Sequence, residues 1–257
     1  MSNVLNLEDY FNRISYTGRT DVSYETLYEL HLAHALNVPF ENLDIHNNKP
    51  ITLDIESLFE KIIENKRGGY CYEMNSLFSF VLKKLGFQVT DLLARMTKDG
   101  VNYGGKSHQI IIVELDGRKY LADVGCGVNG IVAPLLLEEG TEQQQFSYKY
   151  RIKTDEEYGY VLQFKIGNDE YKSLYSFIPD QRCYPMDFIM ANHFSSTYPS
   201  SLYATKKFCT IPTKEGRITL TDEHLKILNN GKLTETKVES DEEFNKLLKK
   251  YFPMLAQ

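Results

Sequence analysis

The sequence predicts an α+β fold in three parts: an N-terminal helical bundle (1–90), a central antiparallel β-barrel (91–195) and a C-terminal α/β lid (196–257). Three observations carry this. Apolar residues recur at spacings of three and four up to about residue 90, the period of one helix face. From there to about 195 the period becomes two, broken by turn dipeptides, as in successive antiparallel strands that curl into a barrel. Beyond 196 two hairpin patterns precede a single amphipathic helix. At 257 residues the chain exceeds the usual size of a single core, so two or three subdomains are expected.

Leu7, Tyr10, Phe11 and Ile14 repeat helically after Asn6, and Leu27, Leu30, His31 and His34 do so after Ser23, a residue type suited to accept a free backbone N–H at a helix start. His31, His34 and His46 are too few for a metal site without an accompanying carboxylate or cysteine cluster, so they are expected to be packed or hydrogen-bonded, and no metal is expected. Pro39 ends the second helix. Glu41 and Asn42 then offer polar groups to an irregular segment, and either Glu41 or Glu73 is expected to pair with Arg67. Ile55, Leu58, Phe59, Ile62 and Ile63 mark a further helix after Asp54.

The last helix of the bundle follows Lys66-Arg67-Gly68-Gly69-Tyr70, where a glycine pair interrupts the backbone. Met74, Leu77, Phe78, Val81, Leu82 and Leu85 form its apolar face and Gly86 its stop. Cys71 therefore stands at the helix start, on that inward face. Free N–H groups and the positive helix end favour thiolate at such a position. A cysteine on an apolar helix face is ordinarily an inert small hydrophobe, so a second stretch is needed to give it a role.

That stretch begins the barrel. Leu92 to Met96 reads as a strand, and Thr97 to Lys106 as a glycine-containing loop. Ser107 to Leu115 and Arg118 to Gly125 read as strands joined by Asp116-Gly117, the strongest short-range hairpin signal. A two-residue loop makes opposing numbers sum to 233 and sets Ile110 opposite Asp123. His108, on the face of Ile110, then has Asp123 as a diagonal neighbour within side-chain reach; a three-residue loop would put the two on opposite faces. A carboxylate on one imidazole nitrogen leaves the other to take a thiol proton. Cys71, His108 and Asp123 are thus a candidate nucleophile, base and orienting acid. The pair has a plainer reading as a stabiliser of its hairpin.

Further strands are expected where Phe146, Tyr148, Tyr150 and Ile152 alternate with polar residues, and over Tyr160–Ile166 and Tyr171–Ile178. Gly125 to Gly130 has the glycine content of a phosphate cradle, but a turn leaving the hairpin is the simpler reading. In the lid, Phe208–Ile211 with Arg217–Thr221, and Leu225–Leu228 with Leu233–Val238, form hairpins, and Ser240-x-x-Glu243 opens a helix as a capping box.

With 29 basic and 35 acidic residues the net charge is −6 and the pI about 5.6, which argues against a nucleic-acid-binding surface. Cys71, Cys126, Cys183 and Cys209 show no paired spacing, as expected in a reducing cytosol. Met1 to Asp9 lacks the basic and apolar regions of a signal, and no run approaches membrane-spanning length, so a cytoplasmic protein with no membrane partner is expected.

Arg67-Gly68-Gly69-Tyr70-Cys71-Tyr72-Glu73 resembles the active-site signature of the arylamine N-acetyltransferases. Val38-Pro39-Phe40-Glu41-Asn42-Leu43 resembles that family's N-terminal block, and Asp116 to Tyr120 leading into Asp123-Val124-Gly125-Cys126-Gly127 its aspartate motif. Asn192 to Pro199 with Thr213 to Arg217 resembles its passage into the third domain. The resemblance implies a cysteine-protease-like core, Cys71 as acetyl-carrying nucleophile, His108 as base and Asp123 as orienting carboxylate. It also implies ping-pong acetyl transfer from acetyl-coenzyme A to an arylamine, hydrazine or related acceptor. Gly104, Gly105 and Thr213 correspond to coenzyme A contacts, and Phe40 and Cys126 to acceptor-pocket positions; an acetyl-thioester must also be shielded from water, and Tyr70, Tyr72 and Phe40 are the aromatic residues expected to line such a pocket. Cys126 departs from the aromatic or small residue of many relatives. Two other functions use the same residues: a cysteine hydrolase or amide synthase sharing the triad, and a catalytically silent protein that binds coenzyme A or aromatic ligands.

Overall fold

The computed structural model describes residues 6–97 and 99–256. Met1 to Leu5, within the stretch read for a signal, Lys98, within the expected loop, and Gln257 lie outside the described residues.

The helical part starts as its capping residues dictate. Asn6 accepts the Glu8 N–H (3.0 Å) at the start of α1 (Leu7–Arg13), and Ser23 accepts that of Thr26 (3.3 Å) at the start of α2 (Tyr24–Asn37). A short strand β1 (Phe40–Glu41) and helix α3 (Leu43–His46) follow. Asp54 caps α4 (Ile55–Phe59), which runs on into a π-helical turn, Glu60–Glu64. Helix α5 (Cys71–Leu85) ends where Gly86 adopts φ +96°, a left-handed C-cap that suits glycine. Tyr10, Leu27, Leu30, Leu77 and Phe78 are fully buried in the core these helices share with one face of the barrel.

The glycines before α5 are required by close approach. A Cβ on Gly68 would lie 1.9 Å from the Pro39 carbonyl oxygen, and one on Gly69 2.8 Å from Glu73 Cβ. The Glu41 N–H donates to Gly69 O (2.9 Å), so the Pro39-Phe40-Glu41 segment is bonded directly to the approach to Cys71. Arg67 bonds Glu41 through Nε (3.0 Å) and Nη2 (2.7 Å), whereas Glu73 pairs with Lys61 (2.7 Å). Of the two expected partners, Arg67 thus takes Glu41.

Eight antiparallel strands form a nearly closed barrel: β2 (Gln88–Thr97), β3 (Tyr103–Leu115), β4 (Arg118–Ala122), β5 (Leu135–Leu136), β6 (Gln143–Gln145), β7 (Tyr148–Asp155), β8 (Gly159–Ile166) and β9 (Lys172–Phe177), in the order β5-β4-β3-β2-β9-β8-β7-β6. Between the two end strands the Gln143 side-chain amide substitutes for a backbone pair, accepting the Leu136 N–H (2.8 Å) and donating to Leu136 O (2.9 Å). Asp116 (φ +50°) and Gly117 (φ +72°) form the two-residue turn, and pairing runs from Leu115–Arg118 to Ile111–Ala122, the expected register.

Two expectations fail here. The loop expected over Thr97 to Lys106 is shorter than that: β2 extends to Thr97 and β3 starts at Tyr103, with two register shifts near Arg95, so Gly104 and Gly105 lie within β3. Phe146 is no inward strand residue; with φ +50° it makes the turn between β6 and β7 and is exposed.

Helix α6 (Pro185–Thr197) and the short α7 (Leu202–Thr205) lead to the last sheet. There β10 (Phe208–Thr213), β11 (Gly216–Thr221), β12 (His224–Asn229) and β13 (Lys232–Lys237) are joined at one edge by β1, in the order β1-β10-β11-β12-β13. Helix α8 (Asp241–Tyr251) covers this sheet with Phe244 and Leu248, against Cys209, Leu220 and Leu225. Ser240 accepts the Glu243 N–H (3.2 Å), but the Glu243 carboxylate accepts from Glu239 (2.9 Å), so only one arm of the expected capping box forms.

Candidate active site

Cys71 is the first residue of α5 and is fully buried. Its placement against the barrel depends on Asn75, one helical turn on. Asn75 Nδ2 donates to Gln109 O (2.7 Å) and Asp123 Oδ1 (2.9 Å), and its Oδ1 accepts the Val124 N–H (2.9 Å). A Cβ on Gly125 would fall 2.8 Å from Cys71 Cα, so only glycine allows the loop after β4 to approach the helix start this closely. The helix and the hairpin thereby bring all three residues of the predicted triad into one buried cluster.

His108 Nε2 bonds Asp123 Oδ2 at 2.7 Å, with both side chains buried. Regular β3–β4 pairing ends at Ala122, so Asp123 lies one residue past the ladder and leans back as a diagonal neighbour. Burial alone would lower the His108 pKa, but the Asp123 charge and hydrogen bond outweigh it and hold the imidazole well above its usual range. The Cys126 and Cys71 thiols act on the same ring as hydrogen-bonding neighbours in the same direction. Burial would conversely raise Asp123; the His108 charge and bonds from His108, Asn75 and the Gly125 N–H hold it below the usual carboxylate range.

Other groups complete this arrangement that the sequence did not announce. Tyr175 of β9 donates its hydroxyl to Asp123 Oδ2 (3.0 Å), and its ring centroid lies 5.2 Å from that of His108. His31 accepts the Asp123 backbone N–H at Nε2 (3.0 Å), a role open to a neutral imidazole, and burial pushes its pKa down to about 4. His31 and His34 are thus buried, hydrogen-bonded residues of the core, His34 through Tyr10 (2.9 Å). Tyr203 of α7 packs its ring between Tyr70 and Phe40, at 5.7 and 5.8 Å. Asn75 had a legible signal, since it shares a helix face with Cys71; Tyr175 and Tyr203 come from distant segments and had none.

The remaining predicted site residues are distributed unevenly. Phe40 and Cys126 line one cavity of only about 20 Å³ together with Met74, Thr210 and Arg217. Burial, and then the Asp123 charge, push the Cys126 thiol pKa up. Tyr72 is buried beside Tyr70 (ring centroids 5.3 Å apart), its hydroxyl 3.5 Å from Ser195 Oγ. Gly104 and Gly105 are exposed in β3, four and three residues before His108. Thr213 Oγ1 accepts the Gly216 N–H (3.0 Å) and closes the β10–β11 turn. The Gly125–Gly130 segment is held as a turn: Arg217 donates to Gly127 O and to Gly130 O (3.0 Å), and the Tyr150 hydroxyl donates to Gly130 O (2.9 Å). A separate cavity of about 980 Å³ is lined by Ser76, Gln109 and Phe188 but by none of the three triad residues. His108 and Asp123, which shift each other's protonation, lie in the buried cluster and not in this cavity.

Residues 23–256 match the family model described as N-acetyltransferase. The arylamine N-acetyltransferase of Escherichia coli (strain K12) is 35% identical over 232 residues, covering 89% of this chain and 81% of the relative. Arylamine N-acetyltransferase 1 of Homo sapiens is 32% identical, covering 98% and 95%. Among solved structures, the arylamine N-acetyltransferase of Mycobacterium marinum in complex with CoA superposes with a TM-score of 0.89 at 33% identity, covering 97% of this chain and 93% of that one. Cys71, His108 and Asp123 thus come together on a backbone that these enzymes share, and the chain belongs to the arylamine N-acetyltransferase family of acyltransferases.

Proposed function

We propose that the protein transfers acetyl groups from acetyl-coenzyme A to the nitrogen of an arylamine, arylhydrazine or related acceptor by a ping-pong route through Cys71. The observation that carries this reading is the His108 imidazole, bonded to Asp123 at 2.7 Å and flanked by the Cys71 thiol at a helix start. His108 takes the Cys71 proton, the thiolate attacks the thioester carbonyl, and coenzyme A leaves with that proton. The acceptor nitrogen then attacks the acetyl-cysteine, and His108 removes its proton while the thiolate departs. The Cys71 and Tyr72 N–H groups, in the first turn of α5 where no intrahelical acceptor exists, are the proposed oxyanion donors. The binding of coenzyme A by a relative in its solved complex supports the donor. Gly104, Gly105 and Thr213 are proposed to contact it, and Phe40, Tyr72 and Cys126 to line the acceptor side.

Cys71 is inaccessible in this conformation, so entry of the thioester requires its cover to move; Tyr203 and the four-residue α7 form part of it. Closure shields the acetyl-cysteine from water between the half-reactions.

The test is stopped incubation with acetyl-coenzyme A and no acceptor, followed by intact mass and peptide mapping, with Cys71→Ala as control. An acetyl adduct on Cys71 that is discharged by an arylamine or hydrazine is expected. Release of coenzyme A without an adduct would replace transfer by hydrolysis, and absence of both would leave another donor or a binding role.

A further inference from the structure

The mechanism leaves the thiol of Cys126 unused, yet it stands beside the base. The Cys126 sulfur, a His108 ring nitrogen and an Asp123 carboxylate oxygen all lie within 4.8 Å of one another, and all three residues are buried. We propose that His108, Asp123 and Cys126 form an inhibitory site for a soft divalent cation of the Zn²⁺ class.

The donor set selects the ion. Sulfur, imidazole nitrogen and carboxylate oxygen are the ligands of Zn²⁺, whereas Mg²⁺ and Ca²⁺ call for oxygen throughout. Bonds of about 2.0–2.3 Å place tetrahedral donors roughly 3.3–3.7 Å apart. The sulfur, within 4.8 Å of both other donors, has to move in by up to about 1.1–1.5 Å. The His108–Asp123 contact of 2.7 Å must widen by somewhat less than about 1 Å as the metal replaces the proton between them. Neutral imidazole, carboxylate and thiolate together carry two negative charges, which the cation neutralises. The shared His108–Asp123 proton and the Cys126 thiol proton leave to solvent.

The surroundings already orient the ligands as a metal site requires. Asp123 Oδ1 is occupied by Asn75 and the Gly125 N–H, which leaves Oδ2 facing His108, with the Tyr175 hydroxyl as its other partner. Cys126 follows Gly125 in the loop held down by Arg217 through Gly127 and Gly130. Without Cys126, the pair of His108 and Asp123 offers two donors and no cage. With it there are three, the third on the loop that Arg217 holds through Gly127 and Gly130, beside the ring that Cys71 also meets. With the cation on Nε2, the neutral imidazole keeps its one proton on the other ring nitrogen, which can then no longer take the Cys71 proton.

Titration of the full-length protein with Co²⁺ as the spectroscopic probe, without donor or acceptor, reads this site independently of acetyl transfer. The wild type and Cys71→Ala are each expected to bind one equivalent, with a thiolate-to-cobalt charge-transfer band in the near ultraviolet. In Cys126→Ala and Cys126→Ser, checked for folding by circular dichroism, the band is expected to vanish. Zn²⁺ should inhibit the wild type reversibly, with EDTA restoring the rate. Its inhibition of each Cys126 variant, relative to that variant's own metal-free rate, should weaken by at least about tenfold. A band retained in both folded Cys126 variants but lost in Cys71→Ala would overturn the proposal in favour of metal on the nucleophile alone. Absence of any band in the wild type up to millimolar Co²⁺ would overturn it outright.

Discussion

His108 and Asp123 shift each other's protonation in opposite directions, and the sign of each shift sets a pH dependence. The His108 pKa is raised above the unfolded value of about 6.5. Its contribution to stability is therefore complete below that pH and is lost as pH rises through the folded value. The Asp123 pKa is depressed, so its contribution is present above about 3.9 and is lost as pH falls through the lower folded value. The pair stabilises most between these limits. In Asp123→Asn the ring loses the charge that opposed desolvation, and burial is opposed only by the lesser effect of the Cys126 and Cys71 thiols. Nitrogen-15 NMR of the His108 imidazole should place its pKa below 6.5 in the variant, with transfer slowed by roughly 10³-fold. A His108 that stays protonated above pH 6.5 in the variant would show that something other than Asp123 holds its charge.

At the scale of the element, the start of α5 and the loop after β4 meet backbone to backbone. Gly125 is glycine because its Cβ would press on Cys71 Cα at 2.8 Å and Cys71 O at 3.1 Å, neither of which can swing away like a flexible side chain. Gly125→Ala must move the loop or the helix start. A shift of about 1 Å at Cys71, the proposed nucleophile, is enough to cost around 10²-fold in rate. We expect that loss in kcat, with the melting temperature also lowered because an overpacked contact costs roughly 1–3 kcal/mol. A variant with wild-type kcat would mean that the distance between helix start and loop does not set the geometry of attack.

At the scale of the whole molecule, charged side chains tie the parts together where apolar cores end. Lys61 bonds Asp44 (2.8 Å) and Glu73 (2.7 Å), and Arg67 bonds Glu41 and Asp44, so α3, α5 and the segment before α5 share one network. The C-terminal sheet reaches the site through Arg217 of β11, whose buried guanidinium donates to the Gly127 and Gly130 carbonyls of the loop bearing Cys126. Arg217→Met keeps most of the volume and leaves those carbonyls without that donor, at a cost of about 2–4 kcal/mol. Denaturant melts should report that loss, and acetyl transfer should fall with it, since the loop continues from Asp123. An Arg217→Met protein as stable and active as wild type would show that the sheet packs on the site without holding it.

The sequence by itself determined what depends on near neighbours. Helix faces, the Ser23, Asp54 and Ser240 caps, and the Asp116-Gly117 turn are encoded within a few residues, and the turn alone carried the register that lets His108 reach Asp123. Local pattern failed where burial did not follow it. Helix α6 leaves Met186, Ile189, Met190 and Phe194 exposed and so gave no amphipathic signal, and Phe146, apolar and in phase with a strand, turned outward at a bend. Only the tertiary structure decided that Cys71 meets His108, because Asn75 must first bond groups 34 to 49 residues away. It alone likewise brought Tyr175 and His31 to Asp123, Tyr203 over Tyr70, and the sulfur of Cys126 to the imidazole. Contacts of that range are selected by how helices and sheets pack, a property of the whole chain that no window of neighbouring residues contains.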